Sequence, residues 1–408
     1  VAVLAWVVHW LMLAVPIGGA AGLASAAFLL SLDWVTAQRE AHPGLILCLP
    51  GAGFLIGWTY HHYGREANAG NNAVLEQWQR PTRILSWRMI PLVLGGTLLT
   101  HGAGGSAGRE GTAVQMGAAL ADQVAGWLGL RHHDRRVVLS MGVSAGFASV
   151  FGTPLAGAVF ALEVMVIGRL RYEALLPSVL AAAIADGTCR ACGVGHVHYA
   201  IGALPDLSFG VMAWSAVVGM VCGLVAMGFA TLSHRVQAAF AWAITYPPLR
   251  PVAGGLLLVG LIWLLGTTRY IGLGIPVIEE AFVQPIEPYA FVVKIGLTVL
   301  TLAAGFKGGE VTPLFFIGAT LGNALFGIVP LPLGLLAALG FVAVFAGATH
   351  TPLACTLLGI ELFGHEAGLL LALATVTAYT FSGHTGIYPA QILGSRKHAA
   401  ARHQPSRE

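Results

Sequence analysis

Apolar stretches recur along the whole chain, separated by short polar or glycine-containing breaks. In the first half they predict helices at about 2 to 32, 45 to 60, 89 to 101, 113 to 129, 137 to 151, 155 to 168 and 174 to 188. A second series follows at about 208 to 232, 252 to 266, 289 to 305, 313 to 328, 333 to 347, 352 to 363 and 367 to 381. Several are shorter than the roughly 20 residues of a full crossing, and others are cut by Gly or Pro, which is how discontinuous helices look in sequence. The alternation of a barrel is absent. Since only helices and closed barrels satisfy their backbone inside lipid, the expected fold class is an all-α integral membrane protein.

Composition agrees. The 408 residues are 56% hydrophobic and only 10% charged, where a soluble domain carries roughly a quarter charged residues. The 54 glycines suit close approach of membrane helices. Residues 1 to 32 lack a basic start and contain Pro16 and Gly18-Gly19, so they read as a first membrane helix rather than a cleaved signal; the missing initiator Met suggests trimming of the native start. A net charge of +3 with scattered arginines gives no nucleic-acid surface. Cys189 and Cys192 have no second pair to complete a zinc site, and His61-His62 and His132-His133 sit in polar connections. No metal or cofactor is expected.

The chain repeats itself. Thr153-Pro154-Leu155-Ala156 is followed by Glu163, and Thr351-Pro352-Leu353-Ala354 by Glu361, at an offset of 198. Gly108, Thr112, Gly117, Ala118 and Leu120 match Gly309, Pro313, Gly318, Ala319 and Leu321 at an offset of 201. Two blocks in the same order at nearly one offset predict two transmembrane repeats, residues 1–200 and 201–396, in one membrane unit. Residues 397–408 are expected to form a short tail. Arg396, Lys397, Arg402 and Arg407 place the C-terminus in the cytoplasm by the positive-inside rule.

Against that background, charge inside the apolar segments is costly and marks function. Gly108-Arg109-Glu110-Gly111-Thr112 opens one apolar helix, and Gly309-Glu310-Val311-Thr312-Pro313 opens its counterpart. A helix start offers free N–H groups and a positive dipole end, an anion site without a fixed cation. The turn Asn68-Ala69-Gly70-Asn71-Asn72 is a third candidate. Burial opposes a charged carboxylate while a helix start or a cation favours it, so Glu110 and Glu310 can exchange a proton and compete with an anion. Glu163 and Glu361 read equally well as structural groups bonded to the opposite half. Lys307, three residues before Glu310, has the simple reading of an ion pair with it.

These residues, together with the TPLA-to-Glu segments and Tyr388, resemble the CLC family of chloride channels and proton-coupled anion antiporters. The resemblance implies a CLC-type fold of two inverted repeats with many tilted and discontinuous helices, in a homodimer whose subunits each hold a pathway. It also implies a multi-pass location in the inner cell membrane. Glu110 then matches the gating glutamate and Tyr388 the tyrosine that contacts the central anion.

Departures from the common pattern narrow it. Asn71 stands where an anion-contacting serine is usual, Thr112 where proline often follows, Glu310 at an ordinarily apolar position, and Val164 where antiporters of chloride often carry a second glutamate. Together these resemble the fluoride-selective branch. By that resemblance Glu310 and Thr312 belong to a central fluoride and proton pathway, the partners are fluoride and protons, and the activity is export of fluoride driven by the proton gradient. Fluoride is small, strongly hydrated and the anion of a weak acid, so its site needs strong donors at short range. Chloride/proton antiport or a passive anion channel of the same fold is the alternative. A remote one is an intramembrane serine hydrolase, since Gly104 to Gly108 and Gly142 to Gly146 match G-x-S-x-G. That would need Ser144 beside His101 or His350 on a strand-to-helix elbow.

Overall fold

The structure is a computed structural model describing residues 2–197, 199–395 and 397. The expected tail therefore lies outside the described residues apart from Lys397. Among the described residues there are sixteen α-helices. The first eight are α1 (Ala2–Ala41), α2 (Leu49–Tyr63), α3 (Asn71–Gln79), α4 (Met89–Gly102), α5 (Glu110–Trp127), α6 (His132–Phe151), α7 (Pro154–Glu163) and α8 (Leu175–Ala191). The others are α9 (Phe209–Ala243), α10 (Leu249–Leu265), α11 (Ile275–Val283), α12 (Ala290–Ala303), α13 (Val311–Ala324), α14 (Leu333–Thr349), α15 (Pro352–Phe363) and α16 (Gly368–Phe381). Strand β1 (Val166–Ile167) pairs in parallel with β2 (Ile392–Leu393), tying the C-terminal segment to the end of α7.

Helix lengths are uneven. Helix α1 has 40 residues and α9 has 35, which at about 1.5 Å per residue is near 60 and 50 Å, far more than a hydrocarbon core of about 30 Å. Both are longer than a straight crossing needs. Helices α3, α7 and α11 have only nine, ten and nine residues, too short to cross a bilayer. Four helical stretches, Val3–Ala41, Pro43–Tyr63, Tyr172–Ala191 and Phe209–Ala243, are long and apolar enough to cross a membrane.

The sequence pattern locates fourteen of these helices closely. The differences are physical. Helix α1 runs nine residues past its apolar stretch because Arg39 is buried and donates to the His101 carbonyl at 3.4 Å. Helix α9 continues past 232 through Ser233, His234 and Gln237, which face a polar cavity. Helix α11 was not expected; Gly274 in the left-handed region and Pro276 start it, and nine residues are too few to show a period.

The core is a pair of helix pairs, α5 with α6 and α13 with α14. In α14 every residue from Gly334 to Thr349 is buried. Glycine makes both contacts possible. A methyl group on Gly117 of α5 would strike the Gly142 carbonyl of α6, and the reverse; Gly318 of α13 and Gly340 of α14 stand in the same relation. Small residues at the crossing let the helices meet backbone to backbone.

Two further contacts are reciprocal between matching positions. The Glu163 carboxylate, at the end of α7, accepts from the Leu353 and Ala354 N–H groups of α15 at 3.2 and 2.9 Å. The Glu361 carboxylate, near the end of α15, accepts from Leu155 and Ala156 of α7 at 3.0 and 2.8 Å. Gly108 and Gly309 exchange both backbone hydrogen bonds, at 2.6 and 2.7 Å, in an isolated antiparallel bridge. Each contact is its own counterpart under a two-fold operation, as inverted repeats require.

Candidate functional site

The Gly108–Gly309 bridge brings the two expected helix starts face to face. On one side α5 begins at Glu110, with Arg109 in the position just before it; on the other α13 begins at Val311, with Glu310 in the matching position. Gly308, Gly309, Gly108 and Gly111 leave room for this. A Cβ on Gly309 would press on the Gly111 N–H, and one on Gly111 would reach the Asn71 side-chain amide.

Glu110 is fully buried. Its carboxylate accepts from the Thr312 N–H at 3.1 Å, from the Thr312 hydroxyl, and from the Arg109 N–H at 3.1 Å. The Arg109 guanidinium is 3.7 Å away and its Nε has no hydrogen-bond partner, so its contribution is charge rather than a directed bond. Thr112 turns away, sharing a hydrogen bond with Thr97 at 2.7 Å. Glu110, Arg109 and Thr312 line a narrow cavity of about 30 Å³ whose other walls include Phe151, Tyr199, Phe315 and Phe341.

Glu310 faces the other way. It lines a polar vestibule of about 190 Å³ with Gly70, Asn71, Gln115, His234, Lys307 and Tyr388. Gly70, in the left-handed region at φ 57°, turns the chain into α3, so that Asn71 is its first residue. The Asn71 Oδ1 atom is buried with no hydrogen-bond partner, an unused acceptor near the bridge. Asn72 accepts from Ala390 N–H at 3.1 Å and Gln79 donates to the Ala390 carbonyl at 2.6 Å. Those bonds seat the segment that carries Tyr388, itself buried.

The expected residues thus fall into two groups. Glu110, Arg109 and Thr312 share one cavity, Glu310, Asn71 and Tyr388 the other, with Gly108, Gly111, Gly309 and Val311 forming the wall or flanking it. Thr112 is near but its hydroxyl is engaged elsewhere. Lys307 does not pair with Glu310: its Nζ donates to Asn68 Oδ1 at 2.8 Å and lies 4.1 Å from the Tyr60 ring centroid. Glu163 and Glu361 cap opposite helices, the structural reading. Val164 lines a small apolar pocket with Asn71 and Tyr388, so no carboxylate stands there. Ser144 lies inside α6 and donates to the Ser178 carbonyl at 2.6 Å, while His350 meets Lys397 and His101 approaches the Gly108 carbonyl. The hydrolase geometry is not formed. His234, Gln237 and Gln115 were not singled out in the sequence; spacing within long apolar helices gives no sign of which polar side chain meets a cavity.

An all-helical membrane protein with paired broken helices, whose opposed N-termini and carboxylates meet at one point, is an anion-handling transporter or channel in design. The chain matches the voltage gated chloride channel family over residues 52–383 and belongs to that family. The chloride/fluoride channel protein of Pseudomonas syringae pv. tomato is 53% identical over 402 residues, 97% of this chain and 89% of that one. A crystal structure of a CLC-type fluoride/proton antiporter superposes with a TM-score of 0.92 at 38% identity, covering 95% of this chain and 98% of that chain. A slow cyanobacterial Cl-/H+ antiporter, at 21% identity and a TM-score of 0.80 over 93% of this chain and 96% of its own, shares the fold.

Proposed function

We propose that this chain is a fluoride/proton antiporter. The observation that carries the reading is the position of Glu110: its carboxylate occupies the N–H and hydroxyl of Thr312 at the start of α13, donors that an anion would otherwise use. Carboxylate and fluoride then compete for one set of donors. Protonation of Glu110 removes the negative charge that holds it there, and fluoride takes its place. When the proton leaves, the carboxylate returns and the anion is expelled. The cycle is antiport when the anion leaves toward the face that delivers the proton and the proton leaves toward the other.

Glu310 supplies the second proton station, on the vestibule side. A charged Glu310 would repel an anion at the bridge, so it is neutral or shares a proton while fluoride is bound. Tyr388 and Asn71 complete the vestibule end of the pathway, with the helix starts at Gly111 and Val311 stabilising the anion between them. The similarity to a fluoride/proton antiporter of known structure supports the same reading. The repeat boundary near residue 200, a homodimer, and an inner-membrane location with a cytoplasmic C-terminus belong to this proposal; the basic residues at 80, 83, 88 and 131, which lie between helices, fit cytoplasmic connections, whereas Arg135 and Arg136 lie within α6, with Arg135 buried against Asp122 at 2.6 Å.

The test is purified protein in liposomes loaded with fluoride or chloride, with anion efflux and proton uptake recorded together. Fluoride efflux matched by proton uptake, with chloride far slower, is expected. A second reading is conduction of chloride as well, favoured by the name of the 53% identical relative. Equal rates for the two anions would establish that reading, and anion efflux without proton uptake a passive channel.

A further inference from the structure

Beside the vestibule lies a second cavity of about 290 Å³ with Tyr60, Asn68, Gln237 and Lys307 common to both. Lys307 therefore stands at the neck between them. Arg65 and Arg250 line the second cavity with it, and none of the residues lining that cavity is a carboxylate. All three cations are held by neutral acceptors. Arg65 donates to the His61 carbonyl at 3.1 Å, Arg250 to the Ile244 carbonyl at 2.9 Å, and Lys307 to Asn68 at 2.8 Å. None of them takes part in an ion pair among the described residues, so their charge is not cancelled locally.

The neck has a second property. Asn68 belongs to the turn that leads into α3, and the Lys307 backbone N–H donates to Thr100 of α4 at 3.2 Å. The ammonium is thus held in one place, away from the Glu310 carboxylate three residues along the chain. An ion pair there would neutralise both groups and block the way to the bridge. Fixed cations without counter-charges, in a cleft with low-dielectric walls, focus the potential and raise the local concentration of small anions.

We infer that Arg65, Arg250 and Lys307 form an anion-collecting antechamber, with Lys307 as the neck residue that admits a small hard anion to the vestibule. This rests on the anion-transport reading and adds to it a site for the anion before it reaches Asn71 and Glu310. The rival role for Lys307 is a purely structural tether of the Asn68 turn.

The experiment compares Lys307→Met, Lys307→Arg, Asn68→Ala and the double variant Arg65→Gln/Arg250→Gln in liposomes. Initial efflux is measured over a series of fluoride concentrations and at low and high ionic strength. Lys307→Met is expected to raise the half-saturating fluoride concentration about tenfold, to flatten the dependence on ionic strength and to leave the proton-to-fluoride ratio unchanged. Lys307→Arg restores both readouts, Asn68→Ala keeps the salt dependence, and the double variant weakens it. The inference is overturned if Lys307→Met keeps the wild-type half-saturation and salt dependence, or if Asn68→Ala reproduces its phenotype. Should Lys307→Met not fold, an unchanged salt dependence in the double variant overturns it equally. Chloride efflux is recorded alongside: if only chloride moves, the fluoride reading fails while the salt dependence of chloride flux still decides the role of Lys307.

Discussion

Thr312 gives both its backbone N–H and its hydroxyl to the carboxylate of Glu110, across 202 positions of sequence. The nearest cation, Arg109, makes a looser contact at 3.7 Å. The seat of Glu110 is thus a helix start in the opposite half rather than a salt bridge with its neighbour.

Replacing Thr312 by valine keeps the N–H and removes the hydroxyl. A hydrogen bond to a charged group is worth about 1.5–3 kcal/mol, so the seated conformer should be depleted roughly tenfold or more. The expected outcome in liposomes is continued fluoride efflux with fewer protons taken up per fluoride. A wild-type ratio in Thr312→Val would remove the hydroxyl from the mechanism.

Glu110→Gln cannot lose or gain a proton in the working range. Anion efflux should persist, proton uptake should vanish, and whatever pH dependence the rate keeps should be that of Glu310 alone. Intact proton coupling in this variant would sink the role given to Glu110.

The wild-type protein carries the complementary expectation. Fluoride binding is favoured when the carboxylates facing the pathway hold protons, so efflux at fixed fluoride should slow as pH is raised on both faces. Glu310→Gln should lose proton uptake while still binding fluoride, which equilibrium binding to the purified protein would register. A pH-independent wild-type flux would contradict the scheme.

Glu163 and Glu361 lead to the opposite expectation, loss of stability without loss of coupling. Each accepts two N–H groups at the start of the partner helix, so Glu163→Gln or Glu361→Gln should cost about 1–3 kcal/mol and lower the melting temperature. The proton-to-fluoride ratio of the surviving protein should match the wild type. A changed ratio in Glu163→Gln would give that residue a part in proton movement.

Much of this arrangement is written locally. The TPLA-to-Glu spacing and the GREG and GGEV turns identify both halves, because short helix starts need glycine, proline and a polar residue in order. What spacing cannot supply is the partner. The sequence puts Lys307 close to Glu310, yet the ammonium reaches Asn68, 239 positions away. It leaves Glu163 and Glu361 undecided, and only the crossing of α7 and α15 shows each capping the other. Arg39 extends α1 beyond its apolar stretch because its acceptor comes from α4. In every case the missing information is a contact between segments far apart in the chain.

The bridge between Gly108 and Gly309 has an electrical consequence. Glu110 and Glu310 lie within two residues of the bridge and line different cavities, so the cavities approach each other there across a short stretch of protein. Wherever water fills the cavities, a voltage applied across the bilayer falls mostly over that short distance rather than over the full thickness. An ion or proton moving between the Glu110 side and the Glu310 side then crosses most of the potential in a single step, worth up to about 2.3 kcal/mol per charge for each 100 mV.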